Sequence, residues 1–497
     1  MLRAQRSARW HHLVLYAASL SIAGAVLAVV LPVGARLEAG HAAVTAAAAT
    51  AGRPSLGPDE LMARVLLAVA AVVVLARLAG ALFERIGQPP VIGEIAVGVA
   101  LGPSLAGALF PDATAFLFHD DVIGVLEVMA QFGLIFFMFL LGLHLDLPAV
   151  RRSGATALFV SHVSIVVPFT LGVVTALVVY PVVGVGTFAP FALFIGAAMA
   201  ITAFPVLARI LTDTGMERTW LGNMALTCAA VDDVTAWCIL SVVVAIAHAG
   251  SAGGVVTTVA LSLGFAVFML AAVRPLLARL VSTSLPSRRR GPELQAGLVA
   301  GVLLAAWVTE QIGIHPIFGA FLAGMVVPRS DGYDERVTAR LEDVTRVFLL
   351  PTFFVVVGLS TRLGLLNSPE MWGTTALLVV VAVVGKLGAA TLAARSCRLP
   401  WRDATALGVL MNARGLTEIV ILTIGQRLGV ISDEIFTAMV VMAIVTTLMT
   451  TPLLVRLQPR TAALDGSTAD APDPLGGREL DTAITTMDEP VTVGRPP

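Results

Sequence analysis

Lysine is all but missing from this chain: its 497 residues include one, Lys386, and every other fixed cation is an arginine. Arginine keeps its proton in a protein whereas a buried lysine can lose it, so Lys386 stands apart chemically. Charge of either sign is scarce. Asp, Glu, Lys and Arg make up 13% of the residues, 57% are apolar and the mean hydropathy is +0.90. Soluble proteins carry about 25% charge, so a large soluble protein is excluded and a polytopic membrane protein is expected. The net charge of −1 gives no reason to expect nucleic acid or an anionic substrate. Cysteine is also rare. Cys228, Cys238 and Cys397 are odd in number, and two share one apolar segment, so no disulfide framework follows. Cys228 and Cys238 lack metal-ligand spacing, and apolar packing is their expected role.

Among the apolar runs, Met224 to Ala247 (MALTCAAVDDVTAWCILSVVVAIA) is long enough to cross a bilayer and holds Asp232 and Asp233 near its middle. One ionised carboxylate at that depth costs roughly 2.5–3.5 kcal/mol even on the lenient insertion scale. Two in a row require compensation inside the membrane. Lys386, in the apolar run VVAVVGKLGAATLAA, is the available cation. The aspartate pair and this lysine read as a titratable ion site.

Segments of spanning length recur from near residues 61, 90, 121, 155, 188, 219, 254, 293, 314, 345, 371, 403 and 433, the one near 314 being short. Before them, Arg3, Arg6 and Arg9 precede an apolar run from His12 to about Pro32, either a retained first helix or a signal segment. An Ala/Gly-rich linker leads to about residue 60. Arginines cluster in alternate connections, including Arg85, Arg151–Arg152, Arg209 with Arg218, Arg288–Arg290 and Arg395 to Arg402, which makes that side cytoplasmic. Fourteen spans would put both termini inside. Residues 457–497 turn polar and rich in Pro, Gly, Thr and Asp, the composition of a disordered cytoplasmic tail without a nucleotide-binding regulatory domain.

Two stretches repeat. GQPPVIGEIAVGVALGPS from Gly87 aligns with GIHPIFGAFLAGMVVPRS from Gly313, pairing Gly93 with Gly319 and Gly98 with Gly324. FFMFLLGLHLDL from Phe136 aligns with FFVVVGLSTRL from Phe353, pairing Gly142 with Gly358. An odd number of spans, seven, separates the copies, so the second is inverted in the membrane. The repeats run over about 61–249 and 293–456, with a linking helix at about 254–281. Inverted-repeat transporters place ion sites at the midplane, between helices broken at corresponding points. The candidate breaks are Thr202-Ala203-Phe204-Pro205, where Pro205 frees a backbone carbonyl, and Asn412-Ala413-Arg414-Gly415, polar where lipid-facing residues should be. The aspartates follow the first break, and Lys386 precedes the second. Arg414 and Glu418, four residues apart, can pair on one helix face and brace the break. Glu94 and Glu127 can face a cavity mouth or an interface. His162 is expected to pack, and Gly98 and Gly324 to permit close helix approach.

ITAFPVLARIL, AAVDDVTAW, GIHPIFGAFLAG, LLPTFFVVVGL and MNARGLTEIVIL, in that order, resemble the second family of monovalent cation:proton antiporters, in the sodium/hydrogen exchanger superfamily. The likeness is to its plant-type cation/proton exchanger branch and bacterial relatives, over about residues 61–456. The resemblance implies an all-α, thirteen-helix inverted-repeat antiporter fold with two broken crossing helices, a dimer-forming scaffold and an elevator-like moving unit. The extra N-terminal helix and the tail fall outside it. It implies a multi-pass transporter of the plasma membrane, likewise a homodimer, that exchanges Na+ or K+ for protons without cofactor or catalytic residues. By the family match, Asp233 is the cation ligand and shared proton site. Asp232 is the partner of Lys386 or a second proton carrier, Lys386 is the charge-compensating group, and Thr202 and Asn412 are polar groups at the breaks. One position departs from the branch: plant-type members usually carry Asn-Asp where this chain has Asp232-Asp233. The branch points to potassium and the acidic pair to sodium with more than one proton, so both cations stay open. A sodium-coupled organic-anion symporter of related fold is the competing reading, hinted at by Arg414. An intramembrane aspartyl protease is disfavoured, because adjacent residues on one helix point about 100° apart.

Overall fold

The computed structural model describes residues 2–41, 56–144, 154–216, 219–249, 252–284, 291–328 and 341–457. Apolar sequence closes its backbone hydrogen bonds within helices, as hydrocarbon requires. In order these are α1 (Leu2–His41), α2 (Pro58–Arg85), α3 (Pro90–Leu101), α4 (Asp120–His144), α5 (Gly154–Val183), α6 (Phe188–Ala200), α7 (Phe204–Asp213) and α8 (Trp220–Ala249). Then come α9 (Ala252–Phe268, continuing through a π turn into Arg274–Ser284), α10 (Gly291–Ile312), α11 (Pro316–Val326) and α12 (Leu350–Ser360). The last four are α13 (Pro369–Ser396), α14 (Trp401–Met411), α15 (Leu416–Arg427) and α16 (Asp433–Leu457). Eleven stretches are long and apolar enough to span. The interrupted pairs α6–α7 and α14–α15 and the short α11 bring the described residues to fourteen passes. Of the expected linker, residues 33–41 continue the first helix and α2 begins at Pro58, while residues 42–55 and the tail after Leu457 lie outside the described residues. The first helix is longer than its apolar run, continuing through Pro32 to His41.

Local signals set the helix ends. At α13, Ser368 Oγ accepts from the Met371 N–H at 3.1 Å, Pro369 supplies a preset first turn, Glu370 follows, and Arg395 lies in the last turn.

The helices pack as two groups joined by α9. A scaffold group comprises α2, α3, α4, α10, α11 and α12; a crossing group comprises α5 to α8 and α13 to α16. In the scaffold the two repeats interlock. Gly98 on α3 lies against Gly358 on α12, and Gly324 on α11 lies against Gly142 on α4. At each, a β-carbon would collide with backbone of the facing helix. The glycines that align in sequence thus perform the same contact twice, each time between one repeat and the other. Gly98→Ala is expected to destabilise by about 1–3 kcal/mol through overpacking. Thermal unfolding in detergent should show a lowered midpoint, whereas Gly124→Ala, which meets open space, should not.

Ion pairs join the groups at opposite ends, and Arg362, in the connection after α12, also stands 4.0 Å from Asp433 at the start of α16. Arg209 on α7 pairs with Glu84 on α2, and Arg427 on α15 pairs with Glu127 on α4 at 3.7 Å. The second lines a cavity of about 230 Å³ between the groups, walled by Gln131, Ser360, Thr423, Gln426 and Phe436 among others. Asp232, Asp233 and Lys386 are not part of its wall. Of the two glutamates singled out from sequence, Glu127 therefore faces a cavity, while Glu94 is buried on α3 beside Gly80 of α2.

Candidate functional site at the helix crossing

The second helix break falls where the sequence places it, whereas of the expected first break, Thr202 to Pro205, Phe204 and Pro205 already belong to α7. The chain leaves helical geometry at Ile201 and re-enters it at Phe204; the second interruption spans Asn412 to Gly415. The interrupted segments hold each other, because the Ala203 N–H donates to the Ala413 carbonyl at 3.0 Å. Thr202 Oγ1 stands 3.0 Å from the Met411 carbonyl and 2.9 Å from Asp232 Oδ2. Its single proton serves one acceptor at a time. Thr447 of α16 fixes the second break from behind, accepting from the Arg414 N–H at 3.2 Å and donating to the Arg414 carbonyl at 2.6 Å.

A helix end leaves carbonyls without intrahelical partners and carries partial negative charge. The end of α6 is buried, and side-chain cations satisfy it. Arg414 Nη1 donates to the Ala198 carbonyl at 2.9 Å and Nη2 to the Met199 carbonyl at 2.7 Å. Lys386 Nζ donates to the Ala200 carbonyl at 2.5 Å. Arg414 also pairs with Glu418 at 2.7 Å, and all three side chains are buried.

The adjacent aspartates have opposite environments. Asp232 Oδ2 lies 2.8 Å from Lys386 Nζ, and Oδ1 accepts from Ser161 Oγ at 2.5 Å. Ser164 Oγ stands 3.2 Å from Oδ2 while also reaching the Ser161 carbonyl at 2.8 Å. Lys386 completes its three donors with the Ser164 carbonyl at 2.9 Å. Asp233 is 3% exposed, and among the described residues neither of its carboxylate oxygens has a hydrogen-bond partner. Asn412 Oδ1 is likewise buried and unpartnered. The 100° step between neighbouring helical residues turns one carboxylate to α5 and α13 and the other away.

Of the residues singled out from sequence, the structure brings Thr202, Asp232 and Lys386 into one network, and Arg414 with Glu418 into a second. Both meet at the end of α6. Sequence reasoning missed Ser161 and Ser164. Their only signal is a three-residue spacing on an apolar helix, which puts both on one face. It also missed Thr447.

A buried lysine–carboxylate pair beside an unpaired carboxylate, at two crossed and interrupted membrane helices, defines a secondary ion transporter. The comparisons place it more closely: the chain belongs to the sodium/hydrogen exchanger family, whose transmembrane description matches residues 70–456. It is similar to the Na(+)/H(+) antiporter NhaS4 of Synechocystis, 43% identical over 401 residues covering 80% of this chain and 98% of that protein. It is also similar to cation/H(+) antiporter 17 of Arabidopsis thaliana, 39% identical over 80% of this chain and 48% of that protein. K(+)/H(+) antiporter 1 of Saccharomyces cerevisiae is 35% identical over 82% of this chain and 49% of its own length. The fold is that of the sodium proton antiporter MjNhaP1 of Methanocaldococcus jannaschii, with a TM-score of 0.59 and 13% identity over 82% of this chain and 99% of that one. The chain is thus a multi-pass membrane protein of the cation/proton antiporter class, a transporter and not an enzyme.

Proposed function

We propose that the chain exchanges Na+ or K+ for protons by alternating access, with Asp233 as the group that holds one or the other. The observation that carries this reading is the contrast within the aspartate pair. Asp232 is balanced by Lys386 and neighbouring hydroxyls, so the two form a neutral unit. Asp233 has no balance of its own, and a bare buried carboxylate is strongly disfavoured. A proton or a hard monovalent cation bound to its oxygens removes the charge, and one site cannot hold both. Movement with Asp233 empty would take a naked charge across the hydrocarbon region, so the loaded forms are the ones that move. This couples the two ion flows without nucleotide or cofactor. Oxygen donors suit such an ion; Asn412 Oδ1, at the second break, is another buried oxygen without a hydrogen-bond partner among the described residues. Lys386 pairs with Asp232 beside the site, and Thr202 links that carboxylate to the second break. Arg414 and Glu418 brace the crossing.

The arginine-rich connections support a reading in which the C-terminus is cytoplasmic and the membrane is the plasma membrane. The scaffold group is assigned the dimer contact on the strength of the family resemblance. The relatives' names include both sodium and potassium, so the test compares them. In proteoliposomes, an imposed Na+ or K+ gradient should drive proton movement that saturates with the cation. Proton flux indifferent to both cations, or sodium flux that requires an organic anion, would overturn the proposal.

A further inference from the structure

The first helix lies outside the family match, which begins at residue 70, yet it is built into the crossing group. Its principal packing partners are α5 and α6. Ala23 and Val30 are buried in that contact. Gly34 marks the closest approach, where the Phe188 ring occupies the space a β-carbon would need. Farther up, Tyr16 meets His162 of α5 edge to face at 5.3 Å.

The contact with α6 includes a polar bond. Glu38 Oε1 accepts from the Phe188 N–H, the first residue of α6, at 2.5 Å. The start of a helix exposes N–H groups and partial positive charge, which a carboxylate complements. Arg414 and Lys386 occupy the other end of the same helix. The half-helix that supplies three carbonyls to the site is therefore gripped at both ends by side chains of matching sign, one of them from outside the family fold.

We propose that α1 is a fixed part of the moving crossing group, travelling with α5 and α6 past the scaffold, and that Glu38 is a positioning residue that sets the start of α6. This rests on the alternating-access reading, and the experiment separates the two. In a background with Cys228, Cys238 and Cys397 replaced by alanine, Tyr16→Cys and His162→Cys are joined by a short bifunctional thiol reagent. A parallel variant joins Glu84→Cys to Arg209→Cys, which spans scaffold and crossing group. Full exchange by the first cross-linked protein and arrest of the second is the expected pair of results. Arrest of the first, or a product of twice the monomer mass showing that α1 seats on a second copy, overturns the proposal. Exchange by the second instead would sink the alternating-access reading, and the shared motion of α1 with it. Glu38→Gln should lower the maximal rate several-fold with the half-saturating cation concentration unchanged, and Glu38→Asp should restore most of it. An unaltered rate in Glu38→Gln would remove the positioning role.

Discussion

Asp233→Asn is expected to abolish cation-driven proton exchange while leaving a folded protein. The substitution keeps the size of the side chain and removes both its charge and its capacity to bind and release a proton. A bound cation and Asp233 would form a buried charge pair, and truncating one partner of such a pair costs about 2–5 kcal/mol of affinity, which at 1.4 kcal/mol per tenfold is on the order of 10–10³ in binding. Exchange in proteoliposomes should fall at least that far with either cation. Stability should move the other way or not at all, because Asp233 makes no hydrogen bond among the described residues. Its neighbour sets the contrast. Asp232→Asn would leave the Lys386 ammonium buried with only the Ser164 and Ala200 carbonyls and a neutral amide, and should lower the thermal midpoint. Near-normal exchange by Asp233→Asn would remove this residue from the transport site.

Arg414→Gln is expected to be the most damaging single change to stability at the crossing. The guanidinium is fully buried and serves Ala198, Met199 and Glu418 at once. Without it, two helix-end carbonyls lose their donor and the Glu418 carboxylate is stranded. A buried pair broken on one side costs about 3–5 kcal/mol, much of it the penalty of the charge left behind. The double substitution Arg414→Gln with Glu418→Gln should therefore be more stable than Arg414→Gln alone. Arg414→Lys should rescue little, since an ammonium cannot reproduce the planar fork. Thermal unfolding of the four proteins of this cycle gives the coupling directly. Additive effects would show that the pair contributes nothing beyond its separate parts.

Much of this arrangement was legible before any coordinates, and for one reason. In a membrane segment the rules are strict enough that violations stand out. Two aspartates and one lysine at mid-span, a proline after a threonine, and Asn-Ala-Arg-Gly where lipid-facing residues belong each break a rule that hydrocarbon imposes. The glycines of the repeat were legible because the same spacing occurs twice. Other features were silent. Ser161 and Ser164 are ordinary in a membrane helix, where a hydroxyl can bond its own backbone, and only the packing of α5 against α8 gives them Asp232. The grip of Arg414 and Lys386 on α6 joins residues 186 to 216 apart in sequence. Glu38 lies beyond the apolar run that marked the first helix, and the helix simply continues to meet α6. The Glu84–Arg209 and Glu127–Arg427 pairs likewise depend on which groups face each other, information held by the tertiary arrangement rather than by any local pattern.

The solitary lysine has a practical corollary for labelling chemistry. Apart from the chain's own α-amino group, an acylating ester has a single nitrogen nucleophile of this kind to find, and in the state described here that nitrogen is sealed from solvent. Covalent adduct formation on Lys386 would therefore act as a clock, ticking only when water and reagent gain entry to the interior, and its dependence on dissolved alkali salts would time those openings without any flux being measured.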